Sequence, residues 1–434
     1  MQLRTLALTI GVVALTASAA SAQESVRKLP TIQSPATPAL NGEFKARYAA
    51  LPYKGGTPDE HIMLQAAAGS TIPLWKGTAT VKTKTYKYTM VGKDPAKGNS
   101  PKIPTIIIPI KLVFNSFGGA TFDPTAADAT CSPKGTALLL TQKSPIFNDI
   151  TLAHVGTGQY VSLFQRANYF TINKRYTVEL QPTTLGVQQI GVNGGNVQNT
   201  PCGMIASLDI GAWDNYVQNT LMPALSAQIT PATFPIFLFY NVVLTDNGGC
   251  CILGYHSAFN NPSFGGAFQT YSTSDYDSSQ AFTGGGSTTS DVSVLTHEVA
   301  EWLDDPNIGN KTPAWGHIGQ VSGCQGNLEV GDPLSGTVST VNLSGMTYHL
   351  QDLAFTSWFY QQDPPTSYNG RYSMFGTLRE ICAALPLTNS SPRVGVSPRL
   401  AGIRRPAFFL AILRSILCAH RARVRRSTAA SSRA

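Results

Sequence analysis

Charge is scarce in this 434-residue chain. Asp, Glu, Lys and Arg make up 13% of it, against 42% hydrophobic residues. A soluble domain ordinarily carries about 25% charged residues, so a helical protein laced with surface ion pairs is excluded. No C-x-x-C pair occurs, which argues against a finger-type structural zinc site. Beyond the first residues no apolar run reaches the ~18 positions that a membrane helix needs. The formal charge of +8 is no sign of nucleic-acid binding either. Ten Arg, with no Lys, Asp or Glu, lie from Ile381 onward, and taking those ten away leaves −2 on the remainder. What the chain has instead is Gly, Pro, Ser, Thr and Asn. That composition points to a loop-rich exported protein with many strands.

The first residues agree. Arg4 precedes a short apolar stretch, Leu6 to Leu15, and Ala20-Ser21-Ala22 forms an A-x-A cleavage site. The reading is a secretory signal peptide over 1–22, cut after Ala22, and a secreted mature chain. In that setting Cys131, Cys202, Cys250, Cys251, Cys324, Cys382 and Cys418 are expected in disulfides, with adjacent Cys250 and Cys251 bridging to different partners. Residues 23–74, rich in Pro and Ala, read as an extended arm or pro-segment. Residues 75–380 read as the folded domain, and 381–434 as an Arg-rich disordered tail.

Within the domain, Trp75 to Lys93 alternates like a half-buried strand. Lys102 to Asn115 reads as a buried central strand, with Pro104 and Pro109 limiting it to bulged or edge pairing at those points. Gly194-Gly195 reads as a turn. Trp213 to Leu225 has one helix face, interrupted at Pro223. Phe234 to Leu244 is the strongest strand. Gly265 to Ser274 is a further strand, expected at a sheet edge where an extended peptide could add itself.

The central stretch is Ser290 to Pro306, S-D-V-S-V-L-T-H-E-V-A-E-W-L-D-D-P. Ser290 or Asp291 can cap a helix. Val292, Leu295, Val299 and Leu303 supply its apolar stripe, and Asp305-Pro306 ends it. His297 and Glu301, four apart, share a face, with Glu298 beside them. That is the layout of the H-E-x-x-H metalloprotease helix with Glu at the second ligand position. Imidazole and carboxylate both suit zinc. A single Zn2+ on His297, Glu301 and a third ligand would polarise a scissile carbonyl, with Glu298 as general base and acid. Asp332, Asp305, His317 and His256 stand open as third ligands. Tyr348, His349 and His256 are candidates for stabilising the oxyanion.

His297-Glu298-x-Ala300-Glu301, Asp305-Pro306, Ala314-Trp315 and Glu329-x-Gly331-Asp332 together resemble the exordium, or phosphate-induced protein, family and a set of similar secreted bacterial proteins. The match covers about Val292 to Asp332. Leu334 stands where that family has Cys. The resemblance implies a secreted α+β fold of the zincin type, in which a mixed sheet backs the HExxE helix, with Glu329 completing the metal site. The function expected from the HExxE residues themselves is that of a zinc-dependent metallopeptidase-like hydrolase acting on a peptide or protein. The alternative is a non-catalytic extracellular module binding a cell-surface or matrix glycan or peptide.

Overall fold

A computed structural model of the chain describes residues 26–40, 46–55, 58, 60–127, 135–247, 249–282, 288–316, 318–321 and 323–381. The signal peptide over 1–22, Cys131, Cys382, Cys418, His317 and all but the first residue of the Arg-rich tail lie outside these residues.

The expected zincin-type α+β fold is not what forms. Seven strands close into a ring: Gln188–Thr200, Gly203–Asp209, Val242–Asp246, Gly249–Asn261, Ala267–Tyr276, Phe234–Tyr240 and Ile103–Phe114, the last pairing back onto Gln188–Thr200. Four more strands join the same sheet: Arg27–Ala36, Arg47–Leu51, Ala120–Phe122 and Leu180–Thr184. Among the described residues strand makes up 41% and helix 21%, so this is a mostly-β barrel.

The closure has local causes. Ile103–Phe114 is buried on both faces. Ile106, Ile108, Ile110, Leu112 and Phe114 enter one core, while Ile103 and Ile107 enter the other, which explains its nearly unbroken apolar run. Gly194-Gly195 does not end a strand, as a turn would. The pair sits inside Gln188–Thr200 with φ of 87° and 68°, the left-handed region that glycine alone enters cheaply. A Cβ at Gly194 would lie 2.0 Å from the Ser34 carbonyl oxygen. Before this corner the strand pairs with Ile103–Phe114, and after it with Gly203–Asp209. One strand thereby serves two stretches of the ring.

The apolar run from Phe234 is divided in a similar way. Asn241, at φ 53°, separates Phe234–Tyr240 from Val242–Asp246. The two pieces take non-adjacent places in the ring. Gly265 to Ser274 is not the free edge it was expected to be. Ala267–Tyr276 is buried throughout and flanked on both sides, by Gly249–Asn261 and Phe234–Tyr240. The edge position is filled from the N-terminal arm instead, where Arg47–Leu51 runs parallel to Gly249–Asn261.

The helix expected from Ser290 to Pro306 spans Ser293–Asp304 and is buried at every residue. It lies across Gly249–Asn261, Ala267–Tyr276 and Met346–Gln351. Trp302 stacks on Phe234 at 3.6 Å between ring centroids and donates its indole N–H to the Thr270 hydroxyl. Its N-terminus is not capped by Ser290 or Asp291. Asp291 is drawn away by His349, accepting from its backbone N–H at 2.9 Å and pairing with its Nδ1 at 2.6 Å.

Cys250 and Cys251 do not reach separate partners. They face each other with Cα atoms 3.1 Å apart, below the span of an ordinary disulfide, and are not counted as a crosslink. Among the described residues no helix is long and apolar enough to cross a membrane.

Candidate metal centre

The helix turn that carries His297 also carries Glu298 and Glu301, and two neighbours complete the cluster. The loop from Glu329 to Asp332 folds back over His297, and the strand Gly249–Asn261 brings in His256. His297 Nε2 lies 3.1 Å from Glu301 Oε2 and 3.6 Å from Asp332 Oδ1. His256 Nδ1 lies 3.2 Å from Glu298 Oε2 and 3.8 Å from Glu301 Oε2. His297, Glu301 and Asp332 form one buried group that could hold a metal ion; His256, Glu298 and Glu301 form another, sharing Glu301.

The surroundings fix each side chain. Gln351 donates to the Gly331 carbonyl at 2.8 Å, and both ends of its amide lie against His297 Nδ1, Nε2 at 2.9 Å and Oε1 at 3.1 Å. Gln351 thereby holds the Nδ1 side of the ring and leaves His297 Nε2 facing the carboxylates. His297 Nε2 has no hydrogen-bond partner. Glu301 Oε1 accepts from the backbone N–H of Gly331 at 3.0 Å and of Asp332 at 3.3 Å, which leaves Oε2 toward His297. Asp332 also accepts from Gln325 at 3.0 Å and from Gln320. His256 Nε2 meets the Asp305 carbonyl at 3.1 Å, so it donates there and Nδ1 faces Glu298.

Two glycines make room for this packing. A Cβ at Gly331 would fall 2.4 Å from His297 Nδ1, and one at Gly254 would fall 2.8 Å from Glu298 Cγ.

The electrostatics suit a cation. Glu298, Glu301, Glu329 and Asp332 are buried together, and among the described residues their ion pairs are with His256 and His297 alone. Burial first, and mutual repulsion second, raises Glu298, Glu301 and Glu329 well above the ordinary carboxylate range. Burial raises Asp332 as well, against the pull of His297. Burial pushes His256 down to about 3 and His297 down to about 4, so both imidazoles are neutral. Neutral imidazoles beside carboxylates that only burial keeps from ionising are what a bound cation would reverse.

The structure therefore brings together His297, Glu298, Glu301, Asp332 and His256. Glu329, the residue expected to be the third ligand, stands beside the group, its Oε1 accepting from Asn327 at 2.9 Å and its buried Oε2 without a hydrogen-bond partner. Asp305 faces the other way and accepts from the N–H groups of Gly309 and Asn310. Tyr348 donates to the Met346 sulfur at 3.1 Å and His349 is held by Asp291, so neither contributes here. Sequence reasoning missed Tyr48, Gln320 and Gln351, whose separation from the helix along the chain leaves no local pattern. No protein-family model matches the chain, no curated protein matches it, and no solved structure does.

Proposed function

We propose that this chain is a secreted zinc-dependent hydrolase of peptide bonds, with the ion held by His297, Glu301 and Asp332. The observation that carries the reading is His297 Nε2, fully buried, without a hydrogen-bond partner, and 3.1 Å and 3.6 Å from two carboxylate oxygens. Zinc bound at ~2.0–2.1 Å in a tetrahedron sets its ligands about 3.3 Å from one another, and the two distances bracket that value. An imidazole with two carboxylates is a donor set that zinc accepts.

When bound, the ion would supply Lewis-acid polarisation of a carbonyl and make a water more acidic. The protein's own part falls to Glu298 and His256. Glu298 takes the proton of the attacking water, and His256, held by the Asp305 carbonyl, keeps the Glu298 carboxyl in place. Two of the linked motifs that resemble the exordium family, His297 to Glu301 and Glu329 to Asp332, meet at this one cluster, which supports reading them as a site.

The test is metal content by mass spectrometry on wild type and His297→Ala, followed by hydrolysis of a peptide library by wild type and Glu298→Gln. One zinc per chain, lost in His297→Ala, with turnover lost in Glu298→Gln, is the expected result. No zinc bound, and none taken up when it is supplied, would overturn the reading. Complete burial of His256, His297 and Glu298 favours a second reading, a non-catalytic extracellular binding protein. Zinc bound without hydrolysis by any form of the chain would support it.

A further inference from the structure

A hydrolytic site has to meet its substrate, and here the cluster is sealed. The element that seals it on the His297 side is the strand Arg47–Leu51. Gly254, Tyr255, His256 and Ser257 pair with Tyr48, Ala49, Ala50 and Leu51, along the same strand that brings His256 to the site. The Tyr48 ring lies flat on the His297 imidazole, 3.6 Å between centroids and 12° between planes. One side chain, Gln320, clamps it there. Its amide accepts from the Tyr48 N–H at 2.8 Å, donates to the Tyr48 carbonyl at 3.2 Å, and also donates to Asp332.

This covering strand is held differently from what it covers. No residue of Arg47–Leu51 is fully buried, whereas every residue of Ser293–Asp304 is. Its apolar side chains sit at core margins, Ala49 and Leu51 against one main core and Tyr48 against a smaller cluster. Beyond Ser257 the chain turns away, with the Tyr53 N–H donating to the Asn307 carbonyl at 3.2 Å. The same edge from Ala258 to Asn260 then has no strand partner among the described residues. That stretch lines a cleft of about 430 Å3 together with Asp214, Gln218 and Leu51 to Gly55, the continuation of the covering strand. Strand position and cleft thus form one continuous track, filled at the metal end by the chain's own backbone and open at the other.

We propose that Arg47–Leu51 is an internal inhibitor seated in the track of an extended polypeptide substrate, with Tyr48 as its plug over His297. A substrate would take its place by adding a strand to Gly254–Asn260, with backbone hydrogen bonds giving affinity and the cleft receiving the following residues. The proposal rests on the hydrolase reading, and its test is chosen so that the two fail separately.

The full-length chain is compared as wild type, Tyr48→Ala and the cross-strand pair Leu51→Cys/Ser257→Cys, each checked for fold by circular dichroism. Two rates are read: diethylpyrocarbonate modification of His297 in zinc-free protein, by peptide mapping, and transfer of bound zinc to the chelator 4-(2-pyridylazo)resorcinol. Tyr48→Ala should raise both rates about tenfold, the change in opening expected from losing one stacked aromatic contact and its buried area. The oxidised double-cysteine chain should lower both, with reduction restoring them. Unchanged rates in Tyr48→Ala together with unchanged rates in the locked chain would overturn the inhibitor, even with zinc bound. Absence of zinc would overturn the hydrolase, while His297 modification would still report whether the strand covers the site. Should Tyr48→Ala fail to fold, the locked and reduced forms decide the question between them.

Discussion

Gly331→Ala is the sharpest test of how the centre is built. Gly331 has φ of −86°, which any residue adopts, so backbone strain is not at issue. The obstacle is steric: the new Cβ would sit 2.4 Å from His297 Nδ1 and 2.7 Å from its Cε1 and Cγ. Either the imidazole rotates or the loop lifts. Rotation breaks the Nδ1 contact with Gln351, and lifting pulls the Gly331 and Asp332 N–H groups off Glu301. Overpacking of this kind costs about 1–3 kcal/mol, and misorienting a ligand's supports lowers metal affinity roughly 10–100-fold. Gly323 is the matched control. It lies in the same stretch of loops, and a Cβ there meets nothing within 4 Å, so Gly323→Ala should stay within ~0.5 kcal/mol. Urea denaturation gives the stability difference and competition with a chromogenic chelator gives the zinc affinity. If Gly331→Ala behaves like Gly323→Ala in both, the placement of His297 against this loop is wrong.

Two further expectations concern charge. Asp332→Asn should abolish stoichiometric zinc binding, while Glu329→Gln should weaken it only about 10–100-fold, as loss of a neighbour that supports a ligand does; titration with zinc distinguishes them, and the reverse order would make Glu329 the ligand. Asp304 is buried against Gln165 and raised to about 7, chiefly by burial. It is therefore protonated in the folded chain and ionised in the unfolded one between its ordinary value of 3.8 and that higher one. Its contribution to stability is full below the unfolded value and is lost as pH rises through about 7. Stability read from urea denaturation should fall between acid and neutral pH, and Asp304→Asn should flatten that fall by a few kcal/mol, on the order of 1.4 for each pH unit separating the folded and unfolded values. Identical pH profiles for the two chains would rule Asp304 out.

The parts legible in the sequence are those whose causes are local. The helix from Ser293 follows from Val292, Leu295, Val299 and Leu303, and the shared face of His297 and Glu301 follows from helical spacing. The burial of Ile103–Phe114 follows from its β-branched run. What could not be read depends on distant partners. Asp291 looks like a cap until His349 claims it. Glu329 and Asp332 sit three apart in one loop, and only the path of that loop over His297 decides which of them faces Nε2. His256 reaches Glu298 because its strand lies beneath the helix. The barrel itself turns on Gly194-Gly195, where the same two residues suit a turn or a corner inside a strand. The close approach of Ser34 and Ser207 makes it the corner.

The pairing of Arg47–Leu51 with Ile252–Ser257 also orders events in time. The covering strand leaves the ribosome long before its partner strand, the site helix or the loop that bears Asp332. Contacts so far apart in sequence form late, since loop closure has to be met before they are gained. His297, Glu301 and Asp332 can therefore converge while Tyr48 is still undocked. If the proposed site binds zinc, the ion would enter most readily during folding, and docking of the strand would trap it. A chain refolded with zinc present would load at once, whereas one given zinc after folding would load at the rate at which Arg47–Leu51 lets go.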